Sequence, residues 1–255
     1  MSEVNQGRKP NIVLILADDM GYSDIGCFGA EIDTPNLDRL AAGGMRFSHF
    51  YSTARCCPSR ASLLTGLHPH QVGVGLMVED LGLPGYRGNL SNSCVTIPEV
   101  LCDAGYRTYM SGKWHVSRHN EAPRDQWPTH RGFDRFWGTT TGAGSYYQPV
   151  TLTRDEERID IPEGEFYYTD AIAEHAVRFI SDHCAGPNQA DPFFSYVAFT
   201  APHWPLHAPE KEIARYSGRY DSGWDILRRE RLDRLHRSGV LSQEWALSAR
   251  DPGQP

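Results

Sequence analysis

Six consecutive apolar residues, Ile12 to Ala17, run directly into two acids in "NIVLILADD". An unbroken apolar run predicts a parallel strand buried on both faces, with its C-terminal end at Asp18 and Asp19. The next segment, "DTPNLDRLAAGGMRF", reads as a helix with Thr34 as N-cap, Pro35 at the first helical position and a stop at Gly43 and Gly44. "TIPEVLCDAGYRTYMSGKWH" repeats the theme: a helix closed by Gly105, then a strand "RTYMSGKW" running into Lys113 and His115. In "YTDAIAEHAVRFISDH" the positions Ile172, Ala176, Phe179 and Ile180 fall on one helical face, and "DPFFSYVAFTAPHWP" follows as a strand ending at His203. The chain is therefore α/β with a mostly parallel sheet. Three strands bring Asp18/Asp19, Lys113/His115 and His203 to one C-terminal edge, where ligands of such sheets gather. After residue 210 the pattern changes to a charged helix, "SGWDILRRERLDRLHRSGV", with a Ser222/Asp225 capping box and Gly239 as its stop, and a polar tail frays over "SARDPGQP".

Composition narrows the partners. The 25 Lys+Arg against 32 Asp+Glu give a net charge of -7, so no basic field holds a nucleic acid or an anionic membrane surface. The 6 cysteines lack both the paired spacing of a zinc site and the density of a disulfide scaffold. The apolar run after the polar residues 1–9 is too short for a signal peptide core or a membrane span. A cytoplasmic location is the expectation, or a periplasmic or secreted one where a leader precedes the chain.

The cysteines Cys56 and Cys57 stand together in "YSTARCCPSRASLLTG". Pro58 in a first turn makes Cys57 the N-cap and sets Cys56 just outside the helix, facing free backbone N–H groups that suit an anion. A pair of buried thiols or a redox pair is the plainer reading of such a dipeptide. The whole string, however, resembles a signature: Cys56-x-Pro58-x-Arg60 followed by "ASLLTG" is similar to that of the type I sulfatases, whose first cysteine is oxidised to formylglycine. Only Cys56 has Pro at +2 and Arg at +4, so Cys57 takes the variable position. "PNIVLILADDMGYSDIGCFG", "GKWH" and "TAPHWPLHAPE" resemble further segments of the same family, in the family's order, over roughly residues 10–215.

The resemblance implies a three-layer αβα fold of the alkaline phosphatase superfamily and a sulfuric ester hydrolase of the arylsulfatase type. It implies Asp18, Asp19 and the converted Cys56 as ligands of a divalent metal, calcium in preference to magnesium, in keeping with the hard oxygens of two carboxylates. Arg60, one turn beyond Cys56, would hold the hydrated aldehyde. Lys113 would bind sulfate oxygens, and His115, on the same side of an extended segment, would assist release of the product. His203 would protonate the leaving oxygen. The implied partners are a sulfate ester, small molecule or glycan, and a formylglycine-generating enzyme. His49, His68, His70, His119, His130, His175, His183, His207 and His236 take no role, though His68 and His70 could line a rim.

Sulfatases are longer. Their second half brings an Asp-Asn/His-Gly segment that completes the metal shell, another active-site lysine and a smaller domain, and no "DNG" or "DHG" follows residue 215. The expectation is a truncated chain: a polar tail at 1–9, the N-terminal part of a catalytic domain at 10–215, and a charged helix and tail at 216–255, with an apolar sheet edge left open. Two readings stand beside the sulfatase one: a formylglycine-dependent phosphonate monoester or phosphodiester hydrolase, and a non-catalytic remnant.

Overall fold

The computed structural model describes residues 9–118, 124–251 and 253. His119, most of the tail at 1–9 and three of the last four residues lie outside these. The chain forms two compact units that interleave along the sequence, one from 1–19 and 52–207, the other from 20–51 and 208–255. Among the described residues no helix is long and apolar enough to cross a membrane.

The first unit is built on a six-stranded sheet in the order β1-β6-β2-β3-β4-β5, formed by β1 (Ile12–Leu16), β2 (Arg107–Lys113), β3 (Arg135–Thr139), β4 (Leu152–Arg154), β5 (Glu157–Arg158) and β6 (Phe193–Ala198). The first four in that order are parallel, and β4 and β5 add an antiparallel margin. Leu16 pairs with Ala198, Ala198 with Gly112, and Lys113 with Thr139, so four strand ends share one edge. At Gly112 the backbone has φ +114, and a Cβ there would lie 2.0 Å from the Ala198 carbonyl oxygen. Only glycine lets β2 approach β6 this closely.

Helices cover both faces. On one, α2 (Cys56–Thr65) packs Cys57, Ala61 and Leu64 against Met110, Phe136, Phe194 and Tyr196, with α3 (Ile97–Asp103) beside it. On the other, α4 (Tyr168–Ala185) buries Ile172, Ala176 and Phe179 against Tyr109, Trp137, Phe193 and Val197, as its apolar stripe predicts. The expected three-layer αβα arrangement is present. Thr96 caps α3 through a capping box with Glu99, and Gly105 follows the helix in the left-handed conformation.

Several expectations are corrected. Among the described residues the strand β1 is an edge strand, paired only with β6, and Val13 and Ile15 are 49% and 55% exposed on the face that α4 covers elsewhere. Its continuous apolar run therefore marks a strand with one bare face. The strand β6 ends at Ala198, because the chain turns through Thr200 toward Pro202, which has no N–H for a ladder; His203 lies five residues past the strand. The strand β2 ends at Lys113, and His115 has φ +53 in place of the extended backbone expected there. The strands β3, β4 and β5 have no strong signal in the sequence: Gly138 interrupts the first, and the other two are three and two residues long.

In the second unit α1 (Pro35–Ala42) starts after Thr34 and stops at Gly43 as predicted, and α5 (Glu210–Ala214) is a short turn of helix. The charged helix α6 (Trp224–Arg237) has Gly223 as N-cap at φ +80, so it begins one residue later than a Ser222/Asp225 box requires and Asp225 falls at the second helical position. Gly239, at φ +69, follows the helix end. Arg231 binds Glu31 and Asp24 at 2.6 Å each, and Arg234 donates to the Gly29 carbonyl at 2.7 Å, so the charged face of α6 serves this unit's own loop.

The ring of His175 stacks on Trp137 at 3.8 Å and 8°. Burial, then the positive charges of Arg178, Arg154 and Arg135, hold its pKa down to about 4. The folded protein thus binds a proton less readily than the unfolded chain, whose histidine titrates near 6.5. This contribution to stability is complete above about pH 6.5 and is lost as pH falls toward about 4. Urea midpoints measured across that range should fall with acidification, and His175→Phe should flatten the decline; an unchanged slope in the variant would contradict this assignment.

Candidate active site

The helix α2 opens at the C-terminal edge of the sheet. Its N-cap is Arg55, extended at φ -152 and ψ 146, so Cys56, Cys57 and Pro58 are the first three helical residues. This corrects the sequence reading, which set Cys57 as the cap and Cys56 outside the helix. Pro58 is tolerated anywhere in the first turn because those N–H groups have no intrahelical partner, so proline alone does not fix the boundary.

Arg60 follows one turn later and is 1% exposed. Its Nη1 donates to the Lys113 carbonyl at 2.8 Å and to the Tyr196 hydroxyl at 3.3 Å, and its Nη2 donates to the Phe199 carbonyl at 3.2 Å. Nη2 also lies 3.5 Å from Asp18 Oδ2, while Nε has no hydrogen-bond partner. The ammonium of Lys113, fully buried, donates to the same Asp18 oxygen. Asp18, Arg60 and Lys113 thus form one buried cluster that spans the ends of β1, β2 and β6.

Cys56, Cys57 and His115 form a second group beside it. Cys57 Sγ lies 3.4 Å from Nδ1 and 3.3 Å from Nε2 of His115, and 3.8 Å from Met77 Sδ. The position that the motif leaves variable is therefore a direct neighbour of the histidine. A hydrogen bond from Cys57, reinforced by His115 and Lys113, pushes the Cys56 thiol far below its ordinary range. The shared hydrogen bond and burial push Cys57 up, so Cys57 keeps its proton and donates it. Burial, then Arg60, lowers the pKa of Lys113, and burial, then the Lys113 charge, lowers that of His115. A positive φ in a non-glycine residue costs on the order of 1–3 kcal/mol and persists where the surroundings fix it. Here Gly142 helps: a Cβ at that position would lie 1.9 Å from His115 Cε1, so the ring occupies space that only a glycine leaves.

Asp19, also at positive φ, is exposed, and its Oδ2 lies 3.5 Å from His203 Nε2. The His203 carbonyl accepts from the Tyr146 hydroxyl at 2.6 Å, which pins this turn. All seven predicted residues therefore gather at one sheet edge in three linked groups: Asp18/Arg60/Lys113, Cys56/His115 and Asp19/His203. Sequence reasoning missed Tyr146, Tyr196 and Gly142, which no motif marks, and gave Cys57 only the variable place in the motif, with no hint of its contact with His115.

The carboxylates of Asp18 and Asp19 fit a hard divalent ion in kind. Among the described residues no third acidic, histidine or cysteine side chain joins both in a cluster tight enough to share an ion, so they supply only part of a shell of about six oxygens.

Comparison with known proteins places this geometry. A family model described as Sulfatase matches residues 10–245. The chain is 38% identical over 256 residues to an arylsulfatase of Klebsiella aerogenes, covering 95% of this chain and 53% of that protein. The crystal structure of Ps i-CgsB in complex with k-i-k-neocarrahexaose matches with a TM-score of 0.72 at 30% identity, over 91% of this chain and 55% of that one. A protein of the alkaline phosphatase superfamily from Vibrio parahaemolyticus shares the fold, with a TM-score of 0.54 at 22% identity, over 92% of this chain and 50% of that one. The chain spans about half the length of the curated relatives it matches.

Removing Arg60 leaves Asp18 paired with Lys113 but strips the buried Lys113 and Phe199 carbonyls and the Tyr196 hydroxyl of a charged donor, at a cost of about 1–3 kcal/mol. Arg60→Met should destabilise the protein by that amount in denaturant unfolding, and Arg60→Lys should recover only part of it, because an ammonium lacks the rigid fork whose two Nη groups reach the Lys113 and Phe199 carbonyls, the Tyr196 hydroxyl and Asp18. A loss below about 1 kcal/mol in Arg60→Met would contradict the clamp.

Proposed function

The chain belongs to the sulfatase family, and from that premise we propose that it carries the nucleophile-bearing part of a sulfuric ester hydrolase acting on a small-molecule or glycan sulfate. The observation that supports this most is the convergence of Asp18, Cys56, Arg60, Lys113 and His115 on one sheet edge, with Cys56 in the first turn of α2. The oligosaccharide bound to Ps i-CgsB supports a glycan as one substrate class. A formylglycine-generating enzyme would convert Cys56. The aldehyde would supply an oxygen nucleophile able to release sulfate without a second attack at sulfur, and a divalent ion held by Asp18 and Asp19, calcium in preference to magnesium, would supply charge that orients the ester.

The chain's own residues have separate tasks in this proposal. Lys113, buried and oriented by Asp18, directs its remaining N–H bonds at sulfate oxygens, where negative charge is held in a site with little water. Arg60 keeps Asp18 and the end of β2 in place and so acts as a positioning residue. The lowered pKa of His115 leaves its imidazole neutral near pH 7, able to take a proton from an oxygen on residue 56 and return it. Cys57 and Gly142 fix that ring. His203, one of the members closer to solvent, gives a proton to the departing alcohol oxygen.

With the protein that bears this chain, aryl sulfate turnover should exceed turnover of an aryl phosphonate or phosphodiester; the reverse order would contradict the assignment. Lys113→Ala should lower kcat/KM by about 10²–10³-fold. His203→Asn should matter most for alkyl sulfates, whose leaving oxygen needs the proton, and least for activated aryl esters. Gly142→Ala should lower kcat by about 10²-fold with the fold intact, as expected for a small displacement of a reacting group. Full activity in Gly142→Ala would show that the ring need not stay where it is.

A further inference from the structure

Before conversion, position 56 is a thiol, and it stands in a group of soft donors whose affinity for a soft ion the sulfatase reading does not call on. The ligand atoms of Cys56, Cys57 and His115 all lie within 4.8 Å of one another, and this is the only such group of three among the described residues. Met77 adds a thioether 3.8 Å from Cys57 Sγ. Cys57 is fully buried and His115 is 3% exposed, while Cys56 is partly open to solvent. Zinc–sulfur bonds of about 2.3 Å and zinc–nitrogen bonds of about 2.0–2.1 Å set tetrahedral ligand atoms roughly 3.5–3.8 Å apart. The approach of Cys57 sulfur to His115 at 3.3–3.4 Å is already close to that spacing.

We propose that the unconverted chain binds one thiophilic d10 cation of the zinc class through Cys56, Cys57 and His115. Thiolates and imidazole select such ions, and a thioether adds to the preference, whereas Asp18 and Asp19 next door prefer hard ones. Binding breaks the S–H bonds still present, releases those protons to water and forms two metal–sulfur bonds; nothing is oxidised or reduced. The three protein ligands leave a fourth position open on the Cys56 side. Because conversion of Cys56 to the aldehyde removes one of the two sulfurs, the soft ion and the mature nucleophile exclude each other. This holds independently of which ester the mature protein hydrolyses.

The test uses the full chain produced without the converting enzyme, with Cys56 confirmed as a thiol by mass. Titration with Cd2+ should give one ion per chain by native mass spectrometry and an ultraviolet thiolate-to-metal charge-transfer band, with Zn2+ competing. Cys57→Ser and His115→Gln should each weaken binding by at least the 10- to 100-fold that losing an outer partner costs. Cys184→Ser, at an exposed thiol away from the group, should change nothing. Converted chain, which lacks the Cys56 sulfur and whose fold is checked by circular dichroism, should lose the tight site, and this holds the test even where Cys57→Ser fails to fold. Binding of equal strength in converted and unconverted chain, a band that follows Cys184, or no saturable binding would each overturn the proposal.

Discussion

One buried guanidinium organises the C-terminal edge of the sheet in this chain. Arg60 reaches from α2 to the carbonyl at the end of β2, to the carbonyl just past β6 and to the carboxylate that follows β1. Three strands that are distant in sequence therefore end against one side chain. Placing that charge beside Lys113, both almost wholly buried, is tolerable because Asp18 faces both and because two backbone carbonyls and the Tyr196 hydroxyl accept from the Arg60 Nη donors. The cluster stands or falls as a set, and the positions of Lys113 and Asp18 follow from it.

Around this clamp, the chemistry divides by hardness and by access. The carboxylates of Asp18 and Asp19 offer oxygen, while Cys56, Cys57 and His115 offer sulfur and nitrogen. Deep burial lowers the pKa of both His115 and Lys113, so the same desolvation that makes the cluster costly shifts both groups away from their ordinary ranges. Cys56, Asp19 and His203 are the members nearest solvent.

Much of this was legible in the sequence. Apolar runs ending in polar groups marked β1 and β6, and a stripe at helical spacing marked the buried face of α4, because those patterns are dictated by burial within a single element. The Cys56-x-Pro58-x-Arg60 string placed the candidate cysteine and the clamp one turn apart, and the helix kept that spacing. What stayed hidden depends on tertiary neighbours. Val13 and Ile15 look like core residues until the sheet order leaves β1 at an edge. Gly142 looks like any loop glycine until His115 is seen filling its side-chain space, and His115 itself leaves the extended backbone that its spacing from Lys113 suggested. Pro58 misplaced the start of α2 by two residues, since proline suits every position of a first turn. The antiparallel margin of β4 and β5 is too short for any periodicity to appear.

The central claim, that Cys56 is the residue converted into the nucleophile, is tested most directly by peptide mass spectrometry on protein from its native host. Trypsin cuts after Arg55 and Arg60 and so isolates residues 56–60. The account predicts that in this peptide the CH2SH of Cys56 is replaced by CHO, with Cys57 still a thiol. An intact thiol at Cys56, in a host that converts its other sulfatases, would contradict it.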